Sequence, residues 1–253
     1  MTVCILGNSL TALTLAKALV NYEIDVDVIF NKKNYKINDT RTIGISKNNI
    51  DFFNRNIINI EKLIWNIKKI EIFSENLKKE KLINFKANKC QLFSIIKNHK
   101  LHQLLDKDLS KSKFFKSRFS TEKNLSFLNK YDLVINCDPF NFITKRYFSK
   151  KISKEYNSTA YTTIISHDKI INDTAVQIFT KKGPLAFLPI SDKKTSIVYS
   201  VHNSNNNEVE NIKELIKDKN FKYNIRDLEK INSFELKSFN LNNLLFDNSL
   251  SNN

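Results

Sequence analysis

Gly7 ends a short apolar stretch, Val3-Cys4-Ile5-Leu6, and is one of only three glycines among 253 residues. A glycine there lets the chain turn sharply. Asn8, Ser9, Leu10 and Ala12 follow it, and Leu10, Leu13, Ala16, Leu19 and Val20 recur at helical spacing. A helix begun directly after such a turn points its free N–H groups and positive dipole end at whatever lies above the glycine, and the chemistry this suits is phosphate binding. Dinucleotide sites use G-x-G-x-x-G, with one glycine for the turn, one for close approach of the pyrophosphate and one for helix–strand packing. Here Ser9 and Ala12 stand at the second and third positions, so the packing logic survives while the close approach is restricted. A nucleotide site and an ordinary strand–turn–helix junction both remain open on these residues alone.

Other residues able to do chemistry lie further along. Where a ribose-binding carboxylate is expected after a second strand, the sequence has Phe30-Asn31-Lys32, and Asn31 offers a hydrogen bond without the charge. Arg41, in Asp39-Thr-Arg41-Thr-Ile43-Gly44-Ile45-Ser46, is a natural fork for pyrophosphate oxygens, or else a surface ion pair with Asp39. Asp138 ends the buried run Asp132-Leu-Val-Ile-Asn-Cys-Asp138, which puts it at a strand's C-terminal end, where open α/β sheets bind ligands. His99 and His102 are three apart, but no carboxylate or cysteine completes a metal set, so both are expected to be exposed helix residues. No metal site is expected. Cys4, Cys90 and Cys137 are odd in number and read as reduced thiols of a cytoplasmic protein.

The elements that must position these groups can be read from periodicity. Residues 3–6, 26–30 and 133–137 read as buried parallel strands, the first two separated by a helix-length interval, and this predicts a doubly wound α/β unit. Ile70, Ile72, Leu77, Leu82 and Phe85 around a polar turn at 74–81 predict a hairpin, and residues 91–110 predict a helix with Ile96, Leu101, Leu104, Leu105 and Leu109 on one face. Four β-rich runs at 161–166, 174–179, 185–190 and 195–201, broken by Gly183-Pro184 and Ser191-Asp192, predict an antiparallel sheet. An amphipathic helix carrying Val209, Ile212, Leu215 and Ile216 is entered from the Asn-rich loop 203–207 and followed by a polar tail. The predicted organisation is a Rossmann-like domain over residues 1–150, lending residues 68–86 as a hairpin to a β-rich second domain over 151–253.

Composition narrows the function. With 41% hydrophobic and 11% aromatic residues the chain is globular, and its net charge of +15 comes with scattered lysines rather than one dense basic helix. Nucleic-acid binding is not expected. Weak attraction to an anionic membrane surface is.

Taken in order, strand-Gly7-helix, Asp39-x-Arg41, Lys100-Leu101-x-x-Leu104-Leu105, Asp132-Leu-Val-Ile-Asn-Cys-Asp138 and Gly183-Pro184-Leu185-Ala186-Phe187-Leu188-Pro189 resemble the UbiH-type ubiquinone-biosynthesis hydroxylases, class A FAD-dependent monooxygenases. The Gly183–Pro189 block carries the most specific part of that resemblance. It implies an FAD-binding Rossmann-like domain with a β-sheet substrate domain, and a reaction in which NAD(P)H and O2 hydroxylate an aromatic ring. By the resemblance, Gly7, Asn8, Ser9, Leu10 and Ala12 frame the FAD pyrophosphate and Asn31 replaces the ribose carboxylate. Arg41 and Lys100 are basic cofactor contacts, and Asp138 matches the aspartate of a D-G motif whose glycine is here Pro139. Pro189 is expected either on the substrate face or simply in sheet packing. The implied partners are a polyprenyl-phenol substrate, a ubiquinone-biosynthesis complex and the inner membrane face.

The family's second flavin motif, G-D-x-x-H-x-x-x-P-x-x-G-Q-G, is expected shortly after Leu245, where the sequence instead reads Asp247-Asn-Ser-Leu-Ser-Asn-Asn253. The chain therefore reads as truncated relative to that family. Two functions follow: a flavin monooxygenase with no side chain named as catalytic, or a non-catalytic relative that keeps the fold and holds FAD weakly or not at all.

Overall fold

The computed structural model describes residues 1–31, 39–75, 80–87, 91–120, 126–147, 151–202 and 208–241. Cys90, the loop 203–207 and the sequence around Leu245 lie outside the described residues.

The first sheet is parallel, in the order β8 (Phe115–Phe119), β2 (Asp25–Phe30), β1 (Thr2–Leu6), β9 (Leu133–Asn136). Leu6 is opposite Ile29 on one side and Asn136 on the other, so β2, β1 and β9 finish together. Side chains of β1 alternate between the sheet's faces. Val3 and Ile5 pack with Leu13 and Ala16 of α1 (Leu10–Val20) and with Leu105 and Leu109 of α3 (Asn98–Leu109). Cys4 and Leu6 face the other way, onto Ile29 and Ile143 of α4 (Phe142–Tyr147). Each such aliphatic side chain taken fully from water contributes about 1.5–3 kcal/mol, so β1 is held from both faces. The fold class read from the sequence is the observed one: a parallel sheet beside antiparallel sheets.

The largest sheet has eight strands in the order β14 (Ile225–Leu228), β10 (Lys151–His167), β13 (Lys194–His202), β12 (Gly183–Pro189), β11 (Thr174–Thr180), β5 (Lys69–Ser74), β6 (Lys81–Lys86), with β15 (Asn232–Leu241) also on β10. The β5–β6 hairpin enters this sheet through a parallel pairing of β5 with β11. One face packs on Ile212 and Ile216 of α5 (Glu208–Lys219). A third sheet, β3 (Thr42–Ile45), β7 (Phe93–Lys97) and β4 (Ile64–Ile67), lies in between and shares Ile67, Ile95 and Ala175 in one cluster with the large sheet. Helix α2 (Lys47–Asn56) follows β3, and the Ser46 hydroxyl caps it by accepting the Asn49 N–H at 3.3 Å.

Three expectations are corrected. The helix placed at 91–110 begins only at Asn98, because Phe93-Ser-Ile-Ile-Lys97 is β-prone and its neighbours β3 and β4 offer two ladders. Gly183-Pro184 starts β12 rather than forming the turn, which is Lys181-Lys182. Gly183 has φ +145°, and a Cβ there would lie 2.0 Å from the Ser200 carbonyl oxygen, so only glycine fits. The polar tail after α5 contains β14 and β15, whose pairing with β10 overrides a sequence rich in Lys, Asn and Glu.

Candidate functional site

Gly7, Asn31 and Asp138 lie at the edge where β1, β2 and β9 end. Gly7 has φ +109°, and its N–H donates to the Ile29 carbonyl at 2.8 Å. A Cβ on Gly7 would stand 3.3 Å from Asp138 Cβ and from the Asp138 nitrogen. Gly7 therefore allows both the turn and the close passage of β9 behind it.

Ser9 is the N-cap of α1, with its hydroxyl accepting the Ala12 N–H at 3.3 Å. Serine thus does more than stand in for a small glycine: it occupies one of the four donors at the helix start. Among the described residues the backbone N–H groups of Ser9, Leu10 and Thr11 have no hydrogen-bond partner, and Ser9 and Thr11 are exposed. Helix α1 carries no acidic residue in its first turn. Unpaired donors on an 11-residue helix whose own first turn has no acidic residue suit an anion.

Asp138 sits next to Gly7, but its carboxylate is engaged: Oδ1 accepts the Phe140 N–H at 2.9 Å in a local turn. The Asp138 N–H donates to Asn136 Oδ1 at 3.1 Å, and its carbonyl accepts the Thr144 hydroxyl at 2.9 Å. Its second carboxylate oxygen remains for a ligand. Asn31 follows the end of β2 on the same edge and is exposed.

Arg41 and Lys100 are brought near each other at the start of α3. The Arg41 carbonyl accepts the Asn98 N–H at 3.0 Å, which places Arg41 against the first turn of the helix that carries Lys100. Both side chains are exposed. The Arg41 guanidinium lies 5.0 Å from the centre of the Phe234 ring on β15 rather than pairing with Asp39. Such stacking uses the guanidinium's face and leaves its in-plane N–H fork available. Burial, then Lys194, lowers the pKa of Lys97, and burial, then Lys97 and Lys100, lowers that of His99. The carboxylates of Glu229 and Asp39 act on Lys97, and Asp39 on His99, in the opposite sense.

Pro189 is apart from this edge. It is buried in β12 opposite Thr195, one pair along from Leu188–Ser196. Ser196 Oγ lies 3.2 Å from Thr42 Oγ1, and buried Thr40 bonds Thr162 Oγ1 at 2.9 Å, so the Thr40–Thr42 segment ties Arg41's neighbourhood to the large sheet. No contact brings Pro189 to Gly7, Asn31 or Asp138 among the described residues.

The histidines depart from expectation. His102 is only 7% exposed, and its Nε2 donates to the Asn8 carbonyl at 3.1 Å. His99 Nδ1 is buried with no hydrogen-bond partner among the described residues. The signal for His102 was in the sequence: 102, 105 and 109 recur at the spacing of the buried Leu105 and Leu109, on the helix's inward stripe. Cys4 is fully buried, with burial and then Asp27 pushing its thiol up to about 12, and burial also raises Cys137, so neither is a reactive thiol. Among the described residues no group of His, Cys, Asp and Glu could hold a metal, and no helix is long and apolar enough to cross a membrane.

No protein-family model matches this sequence, and no curated protein sequence is similar to it. Solved structures do share its fold. HpxO of Klebsiella pneumoniae, complexed with FAD and uric acid, superposes with a TM-score of 0.67 at 12% identity, over 94% of this chain and 68% of that one. PqsL of Pseudomonas aeruginosa, in complex with 2-aminobenzoylacetate, gives 0.63 at 13% identity, over 86% of this chain and 63% of that one. The tetracycline destructase Tet(51) gives 0.56 at 14% identity, over 95% of this chain and 70% of that one. The chain thus spans about two thirds of the length of these relatives in fold.

Proposed function

We propose that this chain is an FAD-binding unit of the flavin-dependent monooxygenases that hydroxylate aromatic rings. The observation that carries this reading is the edge itself: three parallel strands end at a positive-φ glycine, and the helix that follows opens with three unpaired N–H groups. The fold shared with FAD-complexed HpxO supports it. The residues present fit a dinucleotide phosphate. Ser9, Leu10 and Thr11 would donate to it from the backbone, Arg41 and Lys100 would supply positive charge, and Asn31 and Asp138 would meet sugar hydroxyls.

Bound FAD would supply the redox chemistry, carrying electrons from NAD(P)H to O2 for ring hydroxylation. The chain's own part is to hold and orient it and to keep water from the reacting ring. The resemblance in Gly183–Pro189 supports a finer reading, a polyprenyl phenol of ubiquinone biosynthesis as substrate, met at the inner membrane face.

The second reading, a non-catalytic relative that keeps the fold and binds FAD weakly or not at all, is favoured by specific features. Ser9 caps its own helix, Asn31 brings no charge, and Asp138 spends one oxygen on Phe140. Titration of the purified protein with FAD, read by quenching of flavin fluorescence, tests both. Saturable binding supports flavin binding, and NAD(P)H consumption matched by hydroxylated polyprenyl phenol supports the monooxygenase. Binding without turnover, or no binding at millimolar FAD, favours the non-catalytic relative and defeats the monooxygenase.

A further inference from the structure

His102 has no part in the reading above, yet it is a buried polar side chain that bonds the residue directly after the turn glycine. Its Nε2 lies 3.1 Å from the Asn8 carbonyl oxygen, and a carbonyl can only accept, so Nε2 carries the proton. Asn8 and Ser9 are joined by a trans peptide, since the chain contains no cis bond among the described residues. In a trans peptide the C=O and the next N–H point in opposite directions. Holding the Asn8 carbonyl toward α3 therefore turns the Ser9 N–H away from α3, and Ser9 is exposed with that N–H unpaired.

We propose that His102 is a positioning residue: by anchoring the Asn8 carbonyl it fixes the Asn8–Ser9 peptide with its N–H outward, as a ready donor for the phosphate of a bound dinucleotide. The inference rests on the flavin-binding reading for the identity of the ligand, and on the peptide geometry alone for the orientation. Turn glycines in phosphate loops let the backbone approach an anion; here the turn has a single glycine, and an imidazole from another helix does the aiming. Leu101 and Leu105 seat α3 in the core, so the ring is held by packing as well as by its hydrogen bond.

The test compares the full chain with His102→Gln, whose amide keeps a donor of similar reach, and His102→Leu, which has none. Two readouts are taken on each: FAD affinity by fluorescence quenching, and backbone amide shifts of Ser9 and Leu10 in 15N-labelled protein titrated with inorganic pyrophosphate. Thermal unfolding confirms that each variant is folded. His102→Leu is expected to weaken FAD binding about tenfold and to abolish the pyrophosphate-induced Ser9 shift, with His102→Gln within about threefold of the parent. FAD affinity and Ser9 shifts unchanged in folded His102→Leu would overturn the role of His102 and leave the flavin reading standing. A parent that ignores FAD but shows pyrophosphate shifts lost only in His102→Leu would defeat the flavin reading and uphold the positioning role. A parent whose Ser9 and Leu10 amides respond to neither ligand overturns both.

Discussion

Two polar clusters in this molecule are built on opposite terms. At the end of β1, the N–H groups of Ser9, Leu10 and Thr11 are unpaired at an exposed edge. Behind β13, the side chains of His167, Asn172, Thr195 and Tyr223 are buried and every one is paired. His167 Nδ1 donates to the Asp168 carbonyl at 2.8 Å, which leaves Nε2 to accept from the Thr195 hydroxyl at 3.0 Å. Asn172 Nδ2 donates to Thr195 Oγ1 at 3.0 Å and to the Ser191 carbonyl at 2.8 Å, while Asn172 Oδ1 accepts from Tyr223 at 3.1 Å. Burial pushes the Tyr223 phenol up to about 12. The contrast teaches where to look for binding: a satisfied buried network stiffens the large sheet, whereas donors left open at an edge can only be answered by solvent or a ligand.

Substitutions in the paired region should therefore cost stability and spare flavin, and those at the edge should do the reverse. The largest effect is expected from Gly183→Ala, whose Cβ would meet a backbone oxygen at 2.0 Å that cannot move without parting β12 from β13. A loss of about 4 kcal/mol in urea unfolding is expected, with FAD affinity of the folded fraction unchanged. Asn172→Leu strands the Tyr223 hydroxyl and the Ser191 carbonyl together, and about 3 kcal/mol should be lost. If that variant lost flavin with its stability intact, the division between the two clusters would fail.

Arg41→Ala should act in the opposite sense. Removal of a charge-assisted contact should raise the FAD dissociation constant about tenfold, equivalent to about 1.4 kcal/mol, while the melting temperature stays within a few degrees. A large stability loss instead would make the stack on Phe234 its main role.

The smallest effect concerns the strand beneath the edge. Cys4 is held protonated to about 12 against an ordinary value of 9.0, so above pH 9 the unfolded chain releases a proton that the folded chain keeps. Stability must then fall as pH rises from 9 toward 12, by about 1 kcal/mol at pH 10 from this thiol. Unfolding curves of the parent and Cys4→Ala at pH 8 and pH 10 should show a pH slope reduced in the variant.

Strands 3–6 and 26–30 were legible because burial leaves near-continuous apolar runs, 133–137 was legible by its apolar run although it is an edge strand with Leu133 exposed rather than buried, and the turn was legible because glycine is scarce here. What the sequence hid was decided by partners distant along the chain. Residues 93–97 became a strand because β3 and β4 supply its ladders, and β14 and β15 formed from polar sequence on the edge of β10. At the site, glycine spacing found the turn and missed its aim: Ser9 caps rather than yields, Asp138 is half committed, and Pro189 lies in another sheet. The bond of His102 is not legible in the sequence, because the Asn8 carbonyl it meets is 94 residues away along the chain.

The Gly7 turn also has a timetable. Its back is formed by Cys137 and Asp138, and the Thr2 N–H is held by the Asp132 carboxylate 130 residues away in sequence. During synthesis at about 5–20 residues per second, β1 and β2 leave the ribosome roughly 6–25 s before β9 does. For that interval the first helix and its glycine exist without the wall that gives the turn its shape. The part of the molecule made first thus becomes competent only after more than half of the chain has been made, and the nascent chain must keep the apolar flank of β1 from other partners until β9 arrives.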